Sequence, residues 1–289
     1  MEFFDLPVIE PIADAAQATA HLGIERFDAA EASAKPTLIY AHGFGQTRLA
    51  WRKTALKLSA NGFAGLAFDA RGHGQSRWNA ADETYEIQQF LRDLAAVAAL
   101  PSDKPVLVGA SMGGLLGMGI QGLLDPAPFS AMVLVDITPR WEAAGVERIL
   151  GFMTAHPNGF ASLEHAADEI AAYMPHRPRK DPEELKKLLE LGPDGRWRWH
   201  WDPRMIDSIG RGGERHQAMM VQAARRIKVP TLLVSGGRSD IVSAATVNEF
   251  MKLVPHARHV HLPDATHMVA GDDNDAFTQA ILDFLCTLP

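Results

Sequence analysis

Cysteine is all but missing from this chain: Cys286 is the only one in 289 residues. An intramolecular disulfide and a cysteine-based metal site are therefore excluded. The lone thiol lies in an apolar C-terminal segment and is expected to be buried. Long apolar runs are missing too. No window approaches the roughly 18 apolar residues a membrane span needs. The opening Met1-Glu2-Phe3-Phe4-Asp5 has neither the basic start nor the apolar stretch of a secretory signal. A soluble cytoplasmic protein is expected. Positive charge is not in excess, with 28 Lys and Arg against 35 Asp and Glu and a net charge of −7. That balance argues against nucleic acid as the main partner. No internal repeat or low-complexity tract stands out.

What is present is an ordinary globular composition, 47% hydrophobic and 22% charged, long enough to bury a large core. Short apolar, β-rich runs alternate with helical patterns. The runs are Thr37–Ala41, Ala64–Phe68, Val106–Val108, Met132–Val135, Thr231–Val234 and His259–Leu262. Most are continuously apolar, as strands covered on both faces are. Helices are expected at Leu49–Ala60, Ile87–Leu100, Met112–Leu124, Ala244–Val254 and Asp275–Leu285. Alternation of this kind predicts an α/β fold with a mostly parallel central sheet and right-handed crossovers. It fails once, between Thr138 and Lys228, where helical patterns and prolines replace strands. We expect residues 1–137 and 229–289 to form the core domain and 138–228 a helical cap. The cap carries 15 basic against 13 acidic residues, the remainder 13 against 22, a mild contrast that a solvated helical surface explains. The first 35 residues are Ala-rich and fit a helix with one or two edge strands.

The densest chemical signal is Gly109-Ala110-Ser111-Met112-Gly113-Gly114, directly after the apolar run Pro105-Val106-Leu107-Val108. A strand, a sharp turn with small neighbours and a helix would lift the Ser111 hydroxyl clear of the backbone at a sheet edge. A serine hydroxyl is a weak nucleophile and needs a base, which in turn needs an orienting acid. The chain offers both in loops after later strands. Thr231–Val234 runs into Ser235-Gly236-Gly237-Arg238-Ser239-Asp240, where the glycine pair is expected to end the strand and place Asp240 in a loop. The following strand runs into Pro263-Asp264-Ala265-Thr266-His267. Ligand chemistry in parallel sheets gathers at this carboxyl edge. Acyl transfer also places negative charge on the former carbonyl oxygen, where two backbone N–H groups should point. Met112, just after the serine, supplies one. Phe44, in His42-Gly43-Phe44-Gly45 after an early strand, supplies the other.

The set formed by His42-Gly43-Phe44-Gly45, Asp69-Ala70-Arg71-Gly72-His73-Gly74-Gln75-Ser76, the serine turn, Asp240 and His267 resembles the α/β-hydrolase superfamily. Within it the chain is similar to bacterial esterases and cofactor-free haloperoxidase-like hydrolases. The likeness covers roughly residues 36–137 and 229–288. It implies an α/β-hydrolase fold with helices on both sheet faces and a cap insertion. It further implies Ser111 as nucleophile, His267 as base, Asp240 as acid, and Phe44 and Met112 as the oxyanion hole. Many relatives have Gly before the histidine where this chain has Thr266. Some take their acid from the loop after an earlier strand, which makes Asp136 the alternative acid.

Other residues invite rival readings. Gly72-x-Gly74 is too tight for a phosphate loop, so residues 69–76 read as a structural turn, with His42 and His73 structural as well. Trp197, Trp199 and Trp201 alternate and would share a face if extended, either anchoring the cap or lining a substrate pocket. His176, His200 and His216 match no metal-ligand spacing. Asp272 and Asp273 read as helix-capping residues rather than orienters of His267. No metal and no cofactor are expected. The partner expected is a small ester-like molecule rather than nucleic acid or a membrane, with a homodimer left open. The activity expected is hydrolysis of a carboxylic ester, thioester or lactone through an acyl-serine. Perhydrolysis of the haloperoxidase type and carbon–carbon bond hydrolysis are the enzymatic rivals, and a small-molecule sensor on the same fold is the non-enzymatic one. Epoxide hydrolysis and dehalogenation are disfavoured because related enzymes carry Asp where this chain has Ser111.

Overall fold

In the computed structural model, residues 12–30, 34–175, 177–210, 213–267 and 275–288 are described. In chain order the elements begin with α1 (Ala15–Ala18), β1 (Ile24–Phe27), β2 (Leu38–Ala41), α2 (Arg52–Ala60), β3 (Gly65–Phe68) and α3 (Ile87–Ala98). The pair on either side of Ser111 follows, β4 (Val106–Ala110) and α4 (Met112–Leu123), and then β5 (Ala131–Val135). Next come α5 (Ala143–Thr154), α6 (Leu163–Tyr173), the strands β6 (Leu189–Leu191) and β7 (Trp197–Trp199), α7 (Met205–Gly210) and α8 (Gly213–Ala224). The chain closes with β8 (Thr231–Arg238), α9 (Ala244–Leu253), β9 (Arg258–Thr266) and α10 (Asp275–Leu285). Short 3-10 turns cover Arg48–Trp51 and Pro182–Lys187.

Among the described residues the sheet has seven strands in the order β1-β3-β2-β4-β5-β8-β9. Only β1 runs antiparallel, pairing Ile24 with Phe68; the other pairings are parallel. Every residue of β2, β3, β4 and β5 is buried, which is why those segments read as unbroken apolar runs. One face of the sheet packs Ile39, Leu107 and Leu134 against Leu91 and Leu94 of α3, Met118 of α4 and Phe250 of α9. The other packs Tyr40, Val108 and Val133 against Leu58 of α2 and Phe277 and Ile281 of α10. Three of the buried rings, those of Tyr40, Trp51 and Phe277, stack in a file through that second layer. The strand order places β4 at the centre, so a catalytic group at its end is flanked by neighbours on both sides.

Two expectations need correction here. Cys286 is exposed, not buried: α10 ends at Leu285, and the thiol falls on the outward side of the final turn. The stretch 138–228 is not purely helical, since β6 and β7 pair as an antiparallel hairpin, Leu189 opposite Trp199. A small apolar cluster of its own, including Phe160, Leu163, Ile170 and Leu185, holds the middle of this stretch together. Its last helix behaves differently. Met220 and Ala224 of α8 join the sheet-facing layer beside α4. Within the described part of the Ala-rich start lie the single turn α1 and the edge strand β1.

Candidate active site

The serine turn forms as the glycine spacing requires. Ser111 has φ 47° and ψ −117°, a conformation a residue with a Cβ rarely adopts. The chain can turn this sharply because Gly113 has no side chain: a Cβ there would lie 2.3 Å from the carbonyl oxygen of Ala41. The Gly113 N–H instead donates to the His42 carbonyl at 3.2 Å, tying the turn to the end of β2. The Ser111 N–H donates to the Val135 carbonyl, tying it to β5.

His267, directly after β9, brings its Nε2 to 3.0 Å from Ser111 Oγ. Its Nδ1 lies 2.8 Å from Asp136 Oδ2. With Asp136 ionised as acceptor, the proton belongs on Nδ1, leaving Nε2 to accept from the serine hydroxyl. The partner of His267 is thus Asp136, not Asp240. Asp136 follows β5 with φ 47°, and its side chain has no exposure at all. Its carboxylate also accepts the Gly236 N–H at 2.8 Å and the Ser239 hydroxyl at 2.5 Å. A buried carboxylate needs such compensation, and here three donors supply it.

Asp240 is displaced from this role by the course of β8. The glycine pair does not end the strand. β8 continues to Arg238 with a bulge, pairing Arg238 with Thr266. Gly236 and Gly237 are there because β9 passes so close: Cβ atoms would meet the carbonyl oxygens of Ala265 and Pro263 at 2.5 and 2.3 Å. The extra length carries Asp240 past His267 to a salt bridge with Arg148 at 2.8 Å, its side chain 31% exposed.

Phe44, in the loop after β2, lines the same cavity as Met112, Ser111 and His267. Among the described residues neither the Phe44 nor the Met112 N–H donates to a protein acceptor. The loop is held from below by buried imidazoles. His42 donates from Nδ1 to the Gly43 carbonyl at 2.8 Å and accepts the Ala70 N–H on Nε2 at 2.9 Å. His73 accepts the Gly45 N–H at 3.2 Å, and His200 accepts the Gly74 N–H at 3.1 Å. Accepting requires a neutral ring. Burial provides it, lowering His42, pushing His73 well down, and bringing His200 to about 4. Asp69 anchors the turn above it through Arg48 and the Gln75 N–H. The structural reading of this turn and of His42 and His73 matches these bonds.

The three tryptophans separate. Trp199 lines the cavity. Trp197 pairs across the backbone with Phe160 inside the small cluster. Trp201 is buried, its ring 4.9 Å from that of Phe44, and so backs the loop rather than the cavity. His216 also lines the cavity, whereas His200 is buried beneath the loop. His176, Asp272 and Asp273 lie outside the described residues. Among the described residues no group of three or more His, Cys, Asp or Glu could hold a metal ion, and no helix is long and apolar enough to cross a membrane. The cavity has a volume of about 1280 Å³. Among the described residues six methionines line it: Met112, Met153, Met174, Met205, Met219 and Met220. Such flexible thioethers adapt to ligands of varied shape.

The family model described as alpha/beta hydrolase fold matches residues 36–273. The chain belongs to the α/β-hydrolase family. Among curated proteins this α/β-hydrolase is 29% identical over 246 residues to the 3-hydroxybutyrate-oligomer hydrolase of Cupriavidus necator, covering 80% of this chain and 82% of that protein. It is 27% identical over 272 residues to the sn-1-specific diacylglycerol lipase ABHD11 of Mus musculus, covering 86% and 81%. Among solved structures, E-2-(acetamidomethylene)succinate hydrolase superposes with a TM-score of 0.75 at 23% identity, covering 92% of this chain and all of that one. This α/β-hydrolase therefore shares its architecture with enzymes of hydrolytic name.

Sequence reasoning missed Ser239 and gave Asp136 only second place. Both had a signal. Asp tolerates positive φ better than most residues, and Asp136 directly follows a fully apolar strand. Ser239 accepts the N–H groups of Ile241 and Val242 at 3.3 and 3.1 Å while donating to Asp136, a turn-forming habit typical of serine.

Proposed function

We propose that this α/β-hydrolase is a serine esterase in which Ser111, His267 and Asp136 act as nucleophile, base and acid. The observation that carries the reading is the unbroken chain of hydrogen bonds from Ser111 Oγ through the imidazole to the buried Asp136 carboxylate. His267 Nε2 takes the serine proton as Oγ attacks the ester carbonyl. The oxyanion that forms is met by the N–H groups of Phe44 and Met112, each contributing about 3 kcal/mol to the transition state. The imidazolium, steadied by Asp136, protonates the leaving alcohol. Water deprotonated by the same nitrogen then releases the acid and restores Ser111.

The names of the relatives support an ester substrate: one is named for hydrolysing 3-hydroxybutyrate oligomers and another for diacylglycerol lipolysis. A small or medium-sized carboxylic ester fits a 1280 Å³ cavity lined largely by apolar side chains. The experiment is hydrolysis of short p-nitrophenyl esters by wild type and Ser111→Ala. Loss of turnover with an unchanged circular dichroism spectrum is the expected result. Retention of most of the wild-type rate excludes the serine mechanism.

A further inference from the structure

Ser111, Asp136 and His267 are not braced alike. Ser111 follows β4, which has β2 on one side and β5 on the other. Its own N–H reaches the Val135 carbonyl at the end of β5, and the Gly113 N–H reaches His42 just after β2. Asp136 follows β5, itself flanked by β4 and β8, and its N–H donates to the Val234 carbonyl at 2.7 Å. His267 follows β9, an edge strand whose one neighbour among the described residues is β8. The pairing there is irregular. The register shifts between Gly236 and Arg238, and Arg238 opposite Thr266 is the last pair before the histidine. The base thus stands at the end of the strand with the fewest partners. Yet its ring must hold one place through two proton transfers, because the same nitrogen takes the serine proton and passes it to the leaving group.

A contact from the cap meets this strand end. Arg177 donates from Nη2 to Thr266 Oγ1 at 2.9 Å. Thr266 is the residue before His267, and all three line the cavity. Arg177 is carried by a turn that prolongs α6: the Met174 N–H donates to the Ile170 carbonyl at 3.0 Å, and the Arg177 N–H to the Met174 carbonyl at 3.0 Å. Ile170 belongs to the apolar cluster of the cap, so this arm starts from a packed element. The end of α6 is also tied to the loop after β8. Arg148 donates to the Tyr173 carbonyl at 3.0 Å with one Nη and to Asp240 at 2.8 Å with the other. Threonine suits the receiving end. Its β-branch restricts χ1, so a bond at Oγ1 bears on the backbone rather than on a freely turning side chain. Nor does the backbone call for glycine at this place, because among the described residues Ser111 and Asp136 are the non-glycine residues with positive φ.

We propose that Arg177 is a positioning residue for the base: through Thr266 it clamps the end of β9 to the cap and keeps His267 within reach of both Ser111 and Asp136. The inference rests on the serine-esterase reading, in which His267 is the base. The cap then does more than wall the cavity, because it completes the support of a catalytic group. A guanidinium donating to a hydroxyl makes a charge-assisted bond, stronger than a neutral one. Without it the strand end can shift, and the ring loses alignment with Ser111 Oγ at 3.0 Å or with Asp136 Oδ2 at 2.8 Å. A misplacement of about 1 Å can cost about a hundredfold in rate, so a partial shift is expected to cost about tenfold.

The test is a double-mutant cycle read in kcat and KM on p-nitrophenyl acetate and p-nitrophenyl hexanoate. Arg177→Met and Thr266→Val each remove one partner and keep the bulk. Each is expected to lower kcat by about tenfold on both esters, with KM within about twofold. The double variant is expected to lose about tenfold as well, rather than about a hundredfold, because both changes break the same contact. Thr266→Ser, which keeps the hydroxyl, should restore most of the wild-type kcat. Arg179→Met is the control, since that arginine pairs with Asp168 inside the cap and is not in the cavity wall; its kcat should match wild type. An unchanged kcat in Arg177→Met overturns the inference, and so do single losses that multiply in the double variant. A loss confined to KM and different for the two esters also overturns it, making Arg177 a substrate contact instead. Should Arg177→Met fail to fold, the series Thr266→Ser, Thr266→Ala and Thr266→Val decides: kcat must follow the hydroxyl, high in Ser and low in both others, and any other order overturns the clamp. Ser111→Ala separates the two levels. If it still turns over either ester, the serine reading fails; if it is dead while Arg177→Met runs at the wild-type kcat, only the clamp fails.

Discussion

Two aspartates follow adjacent strands of this sheet and meet opposite fates. Asp136, after β5, is sealed from solvent and accepts bonds from His267, Ser239 and Gly236. Asp240, after β8, is partly exposed and pairs with an arginine whose side chain is itself 54% exposed. Residue type and strand-end position are the same; the difference lies in where each strand stops. β5 ends at Val135, which leaves Asp136 level with the histidine ring. β8 runs on through its bulge, which takes Asp240 beyond it. Being at the right edge of a parallel sheet is therefore necessary for an acid but not sufficient, because a strand extended by a few residues moves its loop by the length of a side chain or more.

The sharpest way to break this comparison is to neutralise each aspartate in turn. Asp136→Asn is expected to lower kcat on p-nitrophenyl esters by about 10⁴-fold, the loss typical of a triad acid converted to its amide. Asp240→Asn is expected to cost only a few-fold. Equal losses, or the reverse order, would return the acid role to Asp240. A smaller effect is expected at Ser239, the loop's remaining link to the acid. Ser239→Ala removes one hydrogen bond to a buried carboxylate and should lower kcat by about ten- to a hundredfold with KM little changed. Ser239→Thr, which keeps the hydroxyl, should recover part of that loss, and an equally poor Thr variant would point to a packing role instead.

Burial has a further consequence beneath the oxyanion loop. His200 titrates near 6.5 in the unfolded chain but only near 4 in the folded one. Between those pH values the unfolded state holds the extra proton, so stability falls as pH falls. The slope approaches about 1.4 kcal/mol per pH unit for each such imidazole. His42 and His73, lowered in the same direction, add to it. Urea midpoints measured from pH 7 down to pH 4 should decline through this window, and a flat profile would contradict neutral imidazoles there. The smallest effect belongs to the exposed pair. Breaking Arg148–Asp240 by Asp240→Asn should change unfolding free energy by less than about 1 kcal/mol, as for other solvent-exposed ion pairs.

Much of this was readable in the chain before its coordinates. The six parallel strands lie within a few residues of the apolar runs; for the wholly buried β2 to β5 this is because a strand covered on both faces has little choice of composition. Ser111 was legible from its glycines and His267 from its place after the last strand. Asp240 was misplaced because a Gly-Gly pair has two physical meanings. It can end a strand, or it can let a neighbouring backbone come close, and only the second strand's path tells which. The tryptophans show the same limit. Alternation says that rings share a face while the chain is extended, yet β7 covers only Trp197–Trp199, and Trp201 turns under the Phe44 loop. Ser239 was legible only as a turn-forming serine, because its bond to Asp136 joins residues far apart in the chain.

The methionine wall of the cavity has a chemical side as well as a mechanical one. Thioethers are among the side chains most readily oxidised, and each sulfoxide replaces a soft apolar surface with a polar, chiral one. An enzyme that worked with peroxide in this cavity would harden and wet the surface that receives its substrate. Under the proposed esterase chemistry, with water as the second reactant, that lining is spared.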